Sequence, residues 1–208
     1  MGISDAVALL SLVIACTVLF LTQFRRPRVG VHFSPVLKSY YRKDGSLAFY
    51  LTVTFDNSAL TPGLVRHVAM VLHRRDNPKA RFLMPWRSFA SYSFDEKRWW
   101  ATEMARALAV PGRSSVDKTI WFAWEGRAPD LALEKGEYEI ELLWWDARDL
   151  VRRSARTVHV TERIQQKFQE YREKAKTSFV DLPLDAGRAE NRVLNPSQYR
   201  ALLRGPGR

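Results

Sequence analysis

The sequence has a single cysteine, Cys16, so no disulfide can form within the chain. That excludes the cross-linked scaffolds of small secreted domains and leaves the redox compartment unmarked. Histidine is scarce too, with only His32, His67, His73 and His159. His67 and His73 share strand parity, but six residues of strand separate them by about 20 Å. They cannot meet on one metal without help from other elements. Zinc-ligand spacings, phosphate-binding glycine loops, a nucleophile elbow and the dinucleotide glycine pattern are all missing. No catalytic residue, metal or cofactor is assigned, and the chain is expected not to be an enzyme.

Charge, proline and glycine are missing from one stretch, residues 6–24, which reads AVALLSLVIACTVLFLTQF. Nineteen residues at helical rise reach about 28 Å, near the thickness of bilayer hydrocarbon. The expectation is a single transmembrane helix over 6–24, preceded by a short N-terminus (1–5) in which Ser4 and Asp5 suit an N-cap. A cleaved signal peptide lacks its basic n-region here. A lipoprotein signal ending Val13-Ile14-Ala15-Cys16 is the alternative, although the apolar run continues well past that cysteine. Arg25, Arg26 and Arg28 follow in a basic juxtamembrane segment, 25–28. By the positive-inside rule they put the N-terminus out and the bulk domain in the cytoplasm of a bacterial cell, at the inner membrane. A domain on the periplasmic or extracellular side is the alternative orientation.

The chain is basic overall. Its 33 Lys and Arg face 22 acids across 208 residues. Such an excess favours anionic lipid or nucleic acid as a neighbour. With an expected anchor, the lipid bilayer is the simpler neighbour, and nucleic acid is not expected. Aromatics make up 12 % of the chain, with seven Trp, which argues against disorder.

Residues 29–160 show recurring period-two patterns. In Leu47 to Asp56 the residues Leu47, Phe49, Leu51, Val53 and Phe55 share one face, and Tyr50, Thr52 and Thr54 the other. Lys43-Asp44-Gly45 is a turn joining this strand to Val36–Arg42. Further strands are expected over Leu64–Arg74, Val116–Trp124, Leu133–Asp146 and Leu150–Val160. Phe82 to Ser115 fits less well. Its Asp95–Leu108 part reads equally as a short inserted helix or an irregular crossing. In Leu133 to Asp146, Tyr138, Ile140, Leu142 and Trp144 face one way, opposite Glu137, Glu139 and Glu141. The three glutamates read as a solvated face pairing across strands with Arg152, Arg153 and Arg156.

The spacing Leu133-x-x-Gly136-x-Tyr138 resembles the tyrosine corner of immunoglobulin-like sandwiches, in which the Tyr hydroxyl bonds a backbone group slightly upstream. The resemblance is to the superfamily, rests on this corner alone and carries no function. The expected fold is thus an all-β immunoglobulin-like sandwich with one N-terminal transmembrane helix and a C-terminal amphipathic helix. That last helix, 161–177, is capped by Thr161 and carries the stripe Ile164, Phe168 and Tyr171. A tail, 178–208, contains a short helix over 196–204.

Trp144 and Trp145 are adjacent, so when one is core the other points outward with Leu143 and needs a cover. The helix stripe at Ile164, Phe168 and Tyr171 is one candidate and a partner protein another. Trp99, beside Lys97 and Arg98, could serve a nucleic-acid surface but reads as core. The functional expectation is a single-pass membrane-anchored interaction or accessory subunit with a protein partner. Its candidate contacts are Trp99, Leu143, Trp145, Tyr199, Leu202 and Leu203. The alternatives are a ligand-binding or enzymatic domain on a sandwich scaffold, or a membrane-tethered nucleic-acid-binding domain.

Overall fold

A computed structural model describes residues 2–20, 26–124, 128–174, 177–185 and 192–203, without the side chains of 3, 192 and 201–203. In chain order the elements are α1 (Ile3–Leu19), β1 (Val29–Tyr41), β2 (Leu47–Asn57), β3 (Gly63–Arg74), β4 (Arg81–Ser93), β5 (Arg98–Met104), β6 (Leu108–Val110) and β7 (Ser114–Phe122). Then come β8 (Gly136–Asp146), β9 (Val151–Val160), α2 (Glu162–Glu173), β10 (Val180–Pro183), β11 (Arg192–Val193) and α3 (Pro196–Leu203).

Every strand pair is antiparallel. One layer runs β10-β1-β2-β7-β4-β5, and the other runs β4-β3-β8-β9-β11 with β6 on β3. β4 belongs to both. Its first half pairs with β3, from His73↔Arg81 to Ala69↔Pro85, and its second half pairs with β7 from Trp86↔Phe122 onward. The opposite side is drawn together by the end of β10, where Leu184 bridges to Val158. The Leu184 N–H also donates to Pro35 O at 2.8 Å, and the Asp185 N–H to Thr157 O at 3.0 Å. The result is a sandwich with a barrel-like closure.

The layers bury the alternating side chains that periodicity places inward. Leu47, Phe49, Leu51, Val53 and Phe55 of β2 meet Met70 and Leu72 of β3 and Tyr138, Ile140, Leu142 and Trp144 of β8. The expected corner is formed. Tyr138 Oη accepts the Glu134 N–H at 2.9 Å, and Gly136, at φ 151, turns the chain into β8. Tyr138→Phe keeps the ring and removes this acceptor from a part-buried N–H. We expect a loss of about 1 kcal/mol, read as a lower urea midpoint at unchanged slope; an unaltered midpoint would assign the corner no stabilising role.

Thr161 caps α2, its side chain accepting the Ile164 N–H at 3.3 Å. Phe168 is buried and meets the Tyr41 ring edge-on at 5.9 Å. Ile164 and Tyr171 pack against the same core. This stripe therefore closes one end of the sandwich and does not cover Trp145.

Two expectations are corrected. First, α1 has 17 residues, about 26 Å at helical rise. It begins at Ile3 rather than Ala6, so its first turn is spent on Ser4 and Asp5. Among the described residues no helix is long and apolar enough to cross a membrane, which overturns the transmembrane, single-pass part of the expected fold. Residues 21–24 of the expected span, and Arg25, lie outside the described residues. The expected sidedness rested on that span. Second, Asp95–Leu108 is neither a helix nor an irregular crossing. Residues 81–104 form the β4–β5 hairpin.

Candidate binding surfaces

The β4–β5 hairpin extends beyond β3, so its tip is held by side chains rather than by a neighbouring strand. The turn is tight: the Glu96 N–H donates to Ser93 Oγ at 3.3 Å, and Lys97 takes φ 49. Trp99 fixes the tip. Its ring stacks on Tyr50 at 4.8 Å and 18° and meets Tyr92 at 5.4 Å. Tyr50 also stacks on Tyr40 at 5.7 Å and on Trp121 at 6.3 Å. Burial pushes the Tyr50 hydroxyl pKa far up, so this ring is an uncharged platform.

Beyond that platform the aromatics are open. Phe94 is 84 %, Trp100 42 % and Tyr92 37 % exposed. The Arg98 guanidinium lies 3.4 Å from the Trp100 ring centre. A shallow groove of about 410 Å³ separates the tip from the sheet, with Tyr92, Phe94 and Trp99 on one wall and Thr52, Asp117 and Thr119 on the other. The Thr52 and Thr119 hydroxyls are 2.8 Å apart and bond each other. Trp99 is thus a rivet, and its neighbours carry the open surface.

Leu143 and Trp145 sit differently. Leu143 is buried with Val71, Val151 and Leu194, and Trp145 and Tyr199 pack against that cluster. Trp145 and Tyr199 meet edge-on at 5.5 Å. The cover is the chain's own C-terminal segment, docked through β11 on β9 and capped where the Asn195 carboxamide accepts the Gln198 N–H at 2.8 Å. Leu202 and Leu203 lie in α3, but their side chains lie outside the described ones. Arg26 and Arg28 precede β1, and the Arg28 N–H donates to Asn57 at 3.3 Å.

The alternation in β8 hides a polar cluster. His73 pairs directly with Glu139, and Val71 with Glu141. Glu141, expected on a solvated face, is fully buried, and His73 nearly so. Arg153 Nη2 lies 2.6 Å from Glu139 Oε1 and 3.0 Å from Glu141 Oε1. His73 Nδ1 is 3.7 Å and Arg81 Nη1 3.8 Å from Glu141 Oε1. Burial raises the Glu141 pKa, against the pull of Arg153 and Arg81, and burial lowers that of His73. One imidazole and two carboxylates are a donor set for a divalent cation. Here, however, Arg153 already supplies the positive charge between the carboxylates. The expected Glu–Arg pairing across strands is present, but under cover. Of the other histidines, His32, His67 and His159 are exposed.

No protein-family model matches this chain, and no curated protein is significantly similar to it.

Proposed function

We propose that this chain is a non-catalytic interaction protein, built on an immunoglobulin-like sandwich, that engages a protein partner through the tip of the β4–β5 hairpin. The observation carrying this reading is the open aromatic group Tyr92, Phe94 and Trp100 on a tip held rigid by Trp99. Exposed aromatic and Arg side chains at one place are the residue types that dominate binding energy at protein interfaces. The immunoglobulin-like assignment draws support from the Tyr138 corner and from strand order. β1, β2, β7 and the second half of β4 lie side by side, as do β3, β8 and β9. These correspond to the A-B-E-D and C-F-G sheets of that plan. The enzymatic alternative draws less support, because the described carboxylate–histidine cluster is closed by Arg153.

The test compares wild type with Phe94→Ser/Trp100→Ser, two exposed changes that leave the Trp99–Tyr50 stack in place. Affinity purification should recover a partner with wild type and lose it with the variant, while circular dichroism and melting temperature stay equal. Recovery unaffected by the variant, or no partner with wild type, would remove the proposal.

A further inference from the structure

Many basic side chains among the described residues have an acid beside them. Arg66 pairs with Asp149, Arg74 with Asp76 and Glu134, Arg75 with Glu137, and Lys38 with Asp181. At one end of the sandwich several guanidiniums gather around a single carboxylate. A cavity of about 330 Å³ at the end of the sandwich where β1 begins takes Arg26, Arg148 and Arg152 into its lining, with Asp146 as its sole acid. The guanidiniums of Arg26 and Arg148 have no carboxylate partner among the described residues. Arg152 Nε is buried without a hydrogen-bond partner, its distance to Asp146 Oδ2 being 3.8 Å.

Asp146 is already committed elsewhere. Its Oδ1 accepts the Arg148 N–H at 2.9 Å and the Leu150 N–H at 3.1 Å, which shapes the β8–β9 turn. Three guanidiniums against one carboxylate leave an excess of two positive charges. Val29, Leu64 and Leu150 supply an apolar wall beside them. Guanidinium groups match phosphate oxygens in geometry and stay charged at any working pH. A phosphate monoester carries about −1.5 to −2 charges at neutral pH, which matches the excess.

We infer that this cavity binds a phosphate monoester bearing an apolar group, the phosphate on Arg26, Arg148 and Arg152 and the apolar part on Val29, Leu64 and Leu150. The cavity's volume of about 330 Å³ suits one such group. The chemistry is shared by a lipid phosphate headgroup and a free phosphorylated metabolite.

Calorimetry on the full chain in neutral detergent, with hexyl phosphate and inorganic phosphate as probes, tests the site. Hexyl phosphate should bind about tenfold tighter than phosphate, the effect of burying roughly two methylene groups. Arg26→Gln and Arg148→Gln, both at exposed positions, should each weaken it about fivefold or more, with melting temperature unchanged. Equal binding by wild type and both variants, or no heat at about 10 mM hexyl phosphate, overturns the inference. Vesicle sedimentation separates the sources. Extra binding to phosphatidylcholine vesicles carrying phosphatidate, over phosphatidylcholine alone and lost in both variants, supports a headgroup. Hexyl phosphate binding without that excess supports a free phosphate.

Discussion

Arg153→Ala is expected to cost about 3–5 kcal/mol at neutral pH, the usual result of removing one partner from a buried ion pair. The guanidinium holds both Glu139 and Glu141, and Glu141 has no water to turn to. Glu141→Gln is the informative companion. Burial holds the Glu141 pKa above its ordinary value, so the folded chain binds that proton more tightly than the unfolded one. Stability linked to this group is fully present below the ordinary glutamate range and is lost as the pH rises through the folded value. Wild type should therefore trail Glu141→Gln at pH about 8 and draw level as the pH falls toward about 4. His73 runs the other way. Its pKa is depressed by burial, so its contribution is present above its ordinary range and lost on acidification. Because His73 Nδ1 lies 3.7 Å from Glu141 Oε1, its titration is coupled to that carboxylate, and the comparison is made in a His73→Asn background so that its contribution is absent from both proteins. Thermal melts across pH decide the matter: a constant gap between wild type and Glu141→Gln would refute this account, and a loss below about 1 kcal/mol in Arg153→Ala would show the pair to be solvated.

Asn57→Ala should be nearly as damaging. The side chain is buried and uses all its capacity on backbone. Its Nδ2 donates to Thr61 O at 2.9 Å, Val110 O at 3.2 Å and Pro111 O at 3.2 Å. Its Oδ1 accepts the Arg28 N–H at 3.3 Å and the Ala59 N–H at 3.2 Å. One residue thus ties together the entry to β1, the β2–β3 turn and the end of β6. Each buried group left without a partner costs about 1–3 kcal/mol, so a total loss of about 3 kcal/mol or more is expected in urea unfolding. Asn57→Asp is the sharper probe. It keeps the acceptor but offers the carbonyls no donor, and should fall close to Ala. If Asp retained wild-type stability, the donor half of the hub would be idle.

The strand faces turned toward the main core were legible in the sequence. The alternation of β2 and β8, the Tyr138 corner and the Thr161 cap with its Phe168 stripe all appear where local pattern places them, because burial and hydrogen bonding there depend on neighbours close in the chain. β4 was not legible. It changes sheets, and a register shift between Trp86 and Ser88 interrupts the alternation at the crossing. The aromatic and charged mixture of 92–100 then fits a helix as well as a strand. Glu141 misled for another reason. Alternation reports a side chain's own polarity, not whether neighbouring Arg side chains and a later segment will close over it. The same gap in information concealed that Leu194 and Tyr199, rather than α2, cover Leu143 and Trp145. An apolar stretch revealed α1 as a helix but not where it begins. No motif marks the arginine cavity, since Arg26 is more than 120 positions from Arg148 and Arg152 in the chain and only the fold brings them together.

β10 has a bearing on how the protein is made. It lies along β1, with Lys38 paired to Asp181 at 2.8 Å across 143 positions of sequence, and its end reaches β9. β1 leaves the ribosome long before it does, and β9 only shortly before. Until residues 180–185 emerge, the nascent sandwich carries two open edges, β1 and β9, with backbone groups free to recruit strands from other chains. Assembly that waits on so distant a pairing is slow by its topology, and the interval before closure is when a newly made chain is most exposed to misassembly.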